Sequence, residues 1–557
     1  MKKQYYSFDI FDTCLSRLCG DSTNLYDILS LKVIGIMGCQ NDEHLRQTFV
    51  SLRIKAGKKE STLEAIYAYM AHQFPLPKPV DTMIQMEWEL EREMIAPISS
   101  TLKLINSIRG QAQIAFISDM YLPSTFLQER LSALGFFKKG DMVIVSNEWN
   151  ARKYDGSLYQ KIHEREGISY KKWVHYGDNR HSDYTVPKKL GIHAHLIEHK
   201  HLPYEKQWLQ IPSYQFPWPS ILAGISRSLR LQETAPREQS DFVCNISAPL
   251  MTAFVIEVMK DACRRNIKRL FFCARDMHSY FLIAKQFSHR FPALEIHYAF
   301  ISGQVLYEHT ENALAYFQQI GLACNDAPTA IVDTNTKGGT LPAINQMLKS
   351  HGWNTVHGYY ITGISEASAT DEENKLFHYS IFYPYVKDTG RQNAAAITGM
   401  RILYELVFCL NYHKKTVSYE FHGNIVRPVL AEDNEDTLSF KDCDIKRMKQ
   451  SNDKLLVAYA TAIEKTLLTE YGEKMLNSLA LPNLVDFISY PNKTYLPYLN
   501  NFHLSGKPFV DKLYRKRHPI WKRGSFVYSL PTFMVKPCTD IARSEKKHPR
   551  VLKLFRP

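Results

Sequence analysis

The chain has 557 residues, 45% hydrophobic and 22% charged, with a formal net charge of +13. That balance excludes a disordered chain and a polytopic membrane protein, and the length suits several cores of roughly 100–200 residues each. Ten cysteines occur without a Cys-x-x-Cys pair, which excludes zinc ribbons and redox dithiols of that spacing and fits reduced thiols in a cytoplasmic protein. The opening Met1-Lys2-Lys3-Gln4-Tyr5-Tyr6 lacks the apolar core of a signal peptide.

The first predicted strand, Tyr6-Ser7-Phe8, runs into Asp9-Ile10-Phe11-Asp12-Thr13 and so presents a carboxylate at a strand tip. From Asn24 to about Pro97 the pattern is helical: Leu45, Phe49 and Leu52, then Ile84, Trp88 and Met94, recur at helical spacing, with Gly57, Pro75, Pro77 and Pro79 as punctuation. Ile114 to Ile117 predicts a strand ending in Ser118 and Asp119. A helix follows, with Thr125 and Gln128 at capping-box spacing and Gly135 as its stop. Met142 to Val145 predicts another strand with Lys153 beyond it. Trp173 to Tyr176 predicts a further one, which runs into Gly177-Asp178-Asn179 and then Asp183. In an open α/β sheet these strand ends meet in one crevice.

The residue types suit phosphoryl transfer. A carboxylate at Asp9 can attack phosphorus and split one difficult step into two, provided the phosphoryl charge is neutralised. Lys153 and the Ser118 hydroxyl supply part of that. A hard cation such as Mg²⁺ would find oxygen ligands in Asp9, Asp178 and the backbone carbonyl of Phe11, with Asp183 orienting its waters. Each residue taken singly has a plainer reading, since a strand-end Asp is most often a turn former. It is the ordered set that carries the reading.

Residues 1 to about 202 resemble a haloacid dehalogenase (HAD) superfamily hydrolase, whose four motifs stand here as Phe8-Asp9-Ile10-Phe11-Asp12-Thr13, Ile117-Ser118-Asp119, Lys153, and Gly177-Asp178 through Asp183. The resemblance implies an α/β, Rossmann-like core with a helical cap over about 20–98. It also implies catalytic roles for Asp9, Ser118 and Lys153, and Mg²⁺ held by Asp9, the Phe11 carbonyl, Asp178 and Asp183. Thr13, Asp119 and Asn179 would contact a small phosphorylated substrate.

One position departs from the family's pattern. Phosphatases of the superfamily carry an acid/base Asp two places after the nucleophile, and here Phe11 stands there. Losing such a group costs ~10²–10⁴-fold in rate. Asp12 is adjacent, but on a strand it would face the opposite side. Three alternatives stay open: a phosphorylated substrate whose leaving group needs no proton, such as an acyl phosphate or diphosphate; a halide leaving group; and a phosphate-binding accessory module with weak turnover.

Beyond the first domain, 203–236 reads as a Pro- and aromatic-rich linker. Phe242 to Met259 is apolar but is interrupted by Asn245, Pro249 and Glu257, which predicts a buried helix rather than a membrane span. A second α/β, Rossmann-like domain is expected over 237–425. One predicted strand, Arg269 to Cys273, leads to Arg275 and Asp276, and another ends in Asp333. The loop Lys337-Gly338-Gly339 then precedes a helix, where backbone N–H groups could cradle a phosphate. The plain reading is a tight turn and an Arg275–Asp276 ion pair. A helical segment is expected over 426–500. The two-domain arrangement resembles bacterial predicted hydrolases of surface polysaccharide biosynthesis as far as about Glu405. That resemblance implies a sugar phosphate or lipid-linked glycan as substrate, and it leaves a transferase in the second domain as an alternative.

The last segment, 501–557, is basic and aromatic. From Lys507 onward 14 basic residues face 3 acidic ones, and Tyr514, Trp521, Phe526, Tyr528 and Phe533 are interleaved with them. This suits peripheral contact with an anionic membrane, here the inner face, with single-stranded nucleic acid as the weaker alternative and a solvated tail as the plain one.

Overall fold

The computed structural model describes residues 4–39, 42–211, 218–274, 276–308, 310–336, 340–363, 379–384, 416–431, 438–440, 445–467 and short pieces between 476 and 508. The chain divides into two compact units, Met1–Thr234 and Ala235–Pro557.

The strands of the first unit are β1 (Gln4–Phe8), β2 (Leu15–Arg17), β3 (Ile95–Pro97), β4 (Ala112–Ser118), β5 (Met142–Val145), β6 (Trp173–Gly177) and β7 (His193–Leu196). Five of them form an all-parallel sheet in the order β5-β4-β1-β6-β7. The near-continuous burial of β4 is what a parallel strand covered on both faces requires. The chain builds outward from β1 first through β4 and β5, then through β6 and β7. The strand order therefore reverses between β1 and β6, the place where open α/β sheets leave a crevice at the carboxyl edge. Asp9 follows β1 and Asp178 follows β6, so both stand at that reversal.

The expected helical insertion is α1 (Asn24–Ile36), α2 (Glu43–Lys59), α3 (Leu63–Ala71) and α4 (Val80–Met94). The Asp42 side chain caps α2 by accepting from the Leu45 N–H, and Thr62 caps α3 through the Ala65 N–H. The insertion leaves and returns through the antiparallel pair β2–β3, with Leu15 opposite Pro97 and Arg17 opposite Ile95.

Two expectations for this half need correcting. The segment 203–236 is not a linker: it forms the helices Pro203–Leu209 and Trp218–Arg230, the second buried along its whole length. Pro203 and Pro219 sit in first turns, where the missing N–H costs nothing, and the composition of a linker is the same. Gly224 lies so close to the backbone of Cys19 that a Cβ there would stand 2.3 Å from its nitrogen. The helix after β4 also differs, spanning Ser124–Ala133 with Pro123 as N-cap. Its first N–H, of Ser124, donates to Glu148 Oε1 at 2.7 Å, so the Thr125–Gln128 capping box does not form. Gly135, with φ +82°, ends it as expected.

The second unit carries β8 (Arg269–Cys273), β9 (Glu295–Ala299), β10 (Thr329–Thr336), β11 (His357–Gly363) and β12 (Tyr379–Pro384) in a parallel sheet ordered β12-β11-β10-β8-β9. It is a second Rossmann-like α/β domain, with its order reversal between β8 and β10. The boundary expected at 425/426 falls inside an antiparallel hairpin of Thr416–His422 and Ile425–Leu430, so the helical segment does not begin there. Tyr419 and Val426 bury against the same core as the sheet; Thr416 and Tyr419, the buried positions of the first strand, are three apart, a spacing that does not separate this strand from a helix by sequence. The helix proper is Ile445–Leu467.

Among the described residues, one helical run, Arg237–Arg264, is long and apolar enough to cross a membrane, and 94% of its apolar window is buried inside the protein.

Candidate active site

Asp9 is fixed one residue past the end of β1, its N–H donating to the Tyr176 carbonyl of β6 at 2.8 Å. Lys153 reaches the same point from the segment after β5. Its Nζ donates to Asp9 Oδ1 and, at 2.6 Å, to Asp183 Oδ1. Carboxylate oxygens of Asp9, Asp178 and Asp183 lie within 4.8 Å of one another. Ser118 ends β4 on the same edge and is buried, as are Asp9, Lys153 and Asp183.

The loop after β6 is built to hold Asp183. The Asn179 side chain accepts from the His181 and Ser182 N–H groups at 2.9 and 3.0 Å and starts a six-residue π turn, and the Asn179 N–H donates to Asp183 Oδ2 at 3.1 Å. Gly177 is required there, because a Cβ on it would stand 2.4 Å from Asp183 Cγ. Asp119 accepts from the Lys153 N–H at 2.8 Å and the Tyr154 N–H at 3.3 Å, fixing the loop that aims the lysine. Asn179 and Asp119, expected as substrate contacts, thus have side chains committed to loop geometry. Thr13 is buried, and its Oγ1 has no hydrogen-bond partner among the described residues.

Behind Asp183 lies a buried chain that sequence reasoning missed. Trp173 Nε1–H donates to Ser7 Oγ at 2.7 Å, and because the Asp183 carboxylate takes the Nε2–H of the neutral imidazole, His175 Nδ1 accepts from the Ser7 hydroxyl at 2.7 Å. His175 Nε2–H then faces Asp183 Oδ1 at 3.2 Å and Tyr159 Oη at 3.0 Å, and Tyr159 donates onward to the Ser182 carbonyl at 2.9 Å. The available signal was a polar residue inside each of two apolar strands, Ser7 and His175.

Phe11 does not reach into the cluster as an acid would; the Arg17 guanidinium sits 3.7 Å from the centroid of its ring. Arg17 is itself held by Glu91 of α4 through paired bonds of 3.1 and 3.0 Å. Asp12 is not on a strand. Its φ of +57° puts it in the left-handed region, so the opposite-face argument does not apply. Its carboxylate pairs with Arg227 of the helix Trp218–Arg230 at 2.5 Å. Phe11, Asp12, Arg17, Asp178, His199 and Arg227 are among the residues lining one cavity of about 320 Å³.

The electrostatics follow from burial and crowding. Burial raises the Asp9 carboxyl, and although Lys153 opposes this, Asp183 and Asp178 add to it, leaving Asp9 well above the usual range. Asp178 is pushed up to about 6 by burial, then by Asp12 and Asp183. Burial works the same way on Asp183, but Lys153 and the bond from His175 outweigh it and hold the carboxyl down. Burial would lower Lys153, yet Asp9 and Asp183 keep its ammonium charged. Burial keeps His175 neutral. Three carboxylates beside one ammonium, Asp9 and Asp183 buried and Asp178 half-buried at the cavity, form an oxygen-only donor set that fits a hard divalent cation.

In the second unit, Asp276 follows β8, whereas Asp333 lies inside β10, which continues to Thr336 and does not end at Asp333 as expected; both carboxylates act on Cys273 at the end of β8. After burial, their charges are what push the Cys273 thiol up. Arg275, Lys337, Gly338 and Gly339 lie outside the described residues, as does the basic tail beyond Pro508.

No protein-family model and no curated protein matches the chain. Among solved structures it is similar to a protein from Bacillus subtilis described as the HAD-hydrolase YfnB, bound to magnesium. The identity is 14% and the TM-score 0.26, over 34% of this chain and 87% of that one. A TM-score of that size does not establish a common fold.

Proposed function

We propose that the first unit is a Mg²⁺-dependent, HAD-like hydrolase of the phosphatase or phosphotransferase class, with Asp9 as nucleophile. The observation that carries this reading is the placement of Asp9 at the sheet's order reversal, in contact with Lys153 and within 4.8 Å of Asp178 and Asp183. Asp9 would attack phosphorus, and Lys153 with the Ser118 hydroxyl would hold the phosphoryl oxygens. Mg²⁺, held by Asp9, Asp178 and the Phe11 carbonyl with Asp183 behind it, would neutralise phosphoryl charge. The helical insertion on its two-stranded stalk would close over the pocket and exclude water.

The test is Mg²⁺-dependent phosphate release from phosphomonoesters, acyl phosphates, diphosphates and sugar phosphates, comparing wild type with Asp9→Asn. Release that Asp9→Asn abolishes supports the hydrolase. Activity surviving Asp9→Asn moves it to the second unit, as a transferase there would require. Phe11 favours a second reading, a phosphate-binding accessory module with little turnover; tight phosphoester binding without release, with release gained in Phe11→Asp, would establish it. A sugar phosphate or lipid-linked glycan as substrate and a place in surface polysaccharide assembly belong to this proposal and rest on the resemblance; cytoplasmic residence rests on the cysteine usage, and membrane contact through the tail on its basic and aromatic composition.

A further inference from the structure

The cavity beside Asp178 is where a leaving group has to go, and its chemistry is unusual for phosphate-ester hydrolysis. Asp178 belongs both to the three-carboxylate cluster and to the cavity wall, so the cavity adjoins the cluster that holds Asp9. The side chain at position 11 there is a phenyl ring covered by Arg17, which has no proton to give. In the wall of the same cavity, Arg227 is seated with its side chain only 8% exposed. Its Nε donates to the His199 carbonyl at 3.0 Å and its Nη1 to Asp12 at 2.5 Å, while Nη2 makes no hydrogen bond among the described residues. Two bonds in the guanidinium plane fix its orientation and leave one edge for a ligand. Asp12 holds that plane in place, and its left-handed backbone is what turns its carboxylate toward Arg227.

We propose that Arg227 receives the leaving group as an anion, and that the site therefore acts on phosphoanhydrides, meaning acyl phosphates or diphosphates, rather than alkyl phosphate esters. This rests on the reading of Asp9 as nucleophile. In the first step an Asp9 oxygen bonds to phosphorus as the bridging P–O bond breaks, and the electron pair leaves on a carboxylate or phosphate oxygen. That oxygen is stable as an anion and needs only the guanidinium, whereas an alkoxide would need a proton. Water then attacks the aspartyl phosphate, the Asp9–phosphorus bond breaks to restore the carboxylate, and inorganic phosphate departs with the proton passing to solvent. A preorganised donor aimed at developing charge is worth about 10²–10³ in rate.

The experiment measures kcat/KM with Mg²⁺ for acetyl phosphate, inorganic diphosphate, p-nitrophenyl phosphate and glycerol 3-phosphate, in wild type, Arg227→Gln and Arg227→Lys. Wild type is expected to prefer acetyl phosphate or diphosphate over glycerol 3-phosphate by about 10² or more. Arg227→Gln is expected to lose about 10²–10³ on the anhydrides and much less on p-nitrophenyl phosphate, whose leaving group is already delocalised, and Arg227→Lys to recover part of the loss. A merely structural arginine would lower all four substrates by one factor, and that result overturns the proposal. So does equal wild-type turnover of glycerol 3-phosphate and acetyl phosphate, a comparison that needs no variant to fold. If no substrate is turned over in an Asp9-dependent way, the nucleophile reading fails and this inference fails with it.

Discussion

His175 stands behind Asp183, its Nε2 3.2 Å from the carboxylate oxygen that also receives Lys153. The imidazole is wholly buried, and its tautomer follows from Asp183, whose carboxylate can only accept and so places the proton on Nε2 and leaves Nδ1 to accept from the Ser7 hydroxyl. His175 thus acts on the cluster by aiming Asp183, without itself reaching a ligand. His175→Ala is expected to raise the Mg²⁺ concentration for half-maximal binding by about 10–100-fold. Isothermal titration of the folded variant with Mg²⁺ checks this, and an unchanged midpoint would show that Asp183 holds its place unaided.

Gly177 gives a sharper steric prediction. Any side chain there meets Asp183 Cβ and Cγ at 2.4 Å, well inside van der Waals contact, and neither atom is the end of a flexible chain. Gly177→Ala is expected to cost about 1–3 kcal/mol in urea unfolding and to displace Asp183 from Lys153. Mg²⁺ binding should weaken in the same variant. A folded variant of wild-type stability would mean the loop after β6 relaxes freely.

Asp9, Ser118, Asp178 and Asp183 were legible in the sequence because they stand at or within a few residues of the end of an apolar strand, and a parallel sheet collects such ends on one edge, whereas Lys153, beyond a short helix after β5, was legible only from the order of the motifs. The second Rossmann-like sheet was legible for the same reason. What was not legible depends on packing between distant segments. Arg227 lies 215 residues from Asp12, and the Pro-rich composition that brings its helix in is shared with linkers. The face taken by Asp12 was misjudged because strand alternation was assumed through a residue with φ +57°. The capping of Ser124 by Glu148 replaced a local box that looked sufficient, since a carboxylate from the next strand's end was already in place.

The helical insertion is pinned by a charge pair deprived of water. Arg53 Nη2 and Nε bond Glu87 at 2.6 and 3.0 Å, Tyr67 adds a third bond at 2.7 Å, and both charged side chains have zero exposure. The rings of Tyr26 and Tyr121 lie 4.3 and 4.8 Å from the guanidinium. Glu87→Gln leaves Arg53 buried and unpaired and is expected to destabilise the unit by about 3–5 kcal/mol in a urea titration. The double change Arg53→Met with Glu87→Leu should recover most of that, because it removes both desolvation costs. If the double variant is no better than the single one, the pair contributes net stability.

The helix Trp218–Arg230 should make the first unit acid-sensitive in a defined window. Glu205 has no exposure and accepts from Arg230 Nε at 2.7 Å and Nη2 at 3.0 Å, and from the Leu202 N–H at 2.9 Å. Burial alone would raise its carboxyl, but the His201 ring, 3.3 Å away, and the bonded Arg230 guanidinium reverse that and hold it at about 2. A carboxyl lower in the folded than in the unfolded chain gives stability that is fully present above the unfolded value, near 4.5, and is lost as pH falls toward 2. The contribution at neutral pH is about 3 kcal/mol, and about half of it should be gone by roughly pH 3. Urea midpoints measured from pH 7 to pH 3 should therefore fall more steeply for wild type than for Glu205→Gln, which has no proton to bind. Parallel curves would place the acid sensitivity elsewhere, with Asp183, the one carboxyl of the Asp9 cluster that is held down, as the next group to test by the same subtraction.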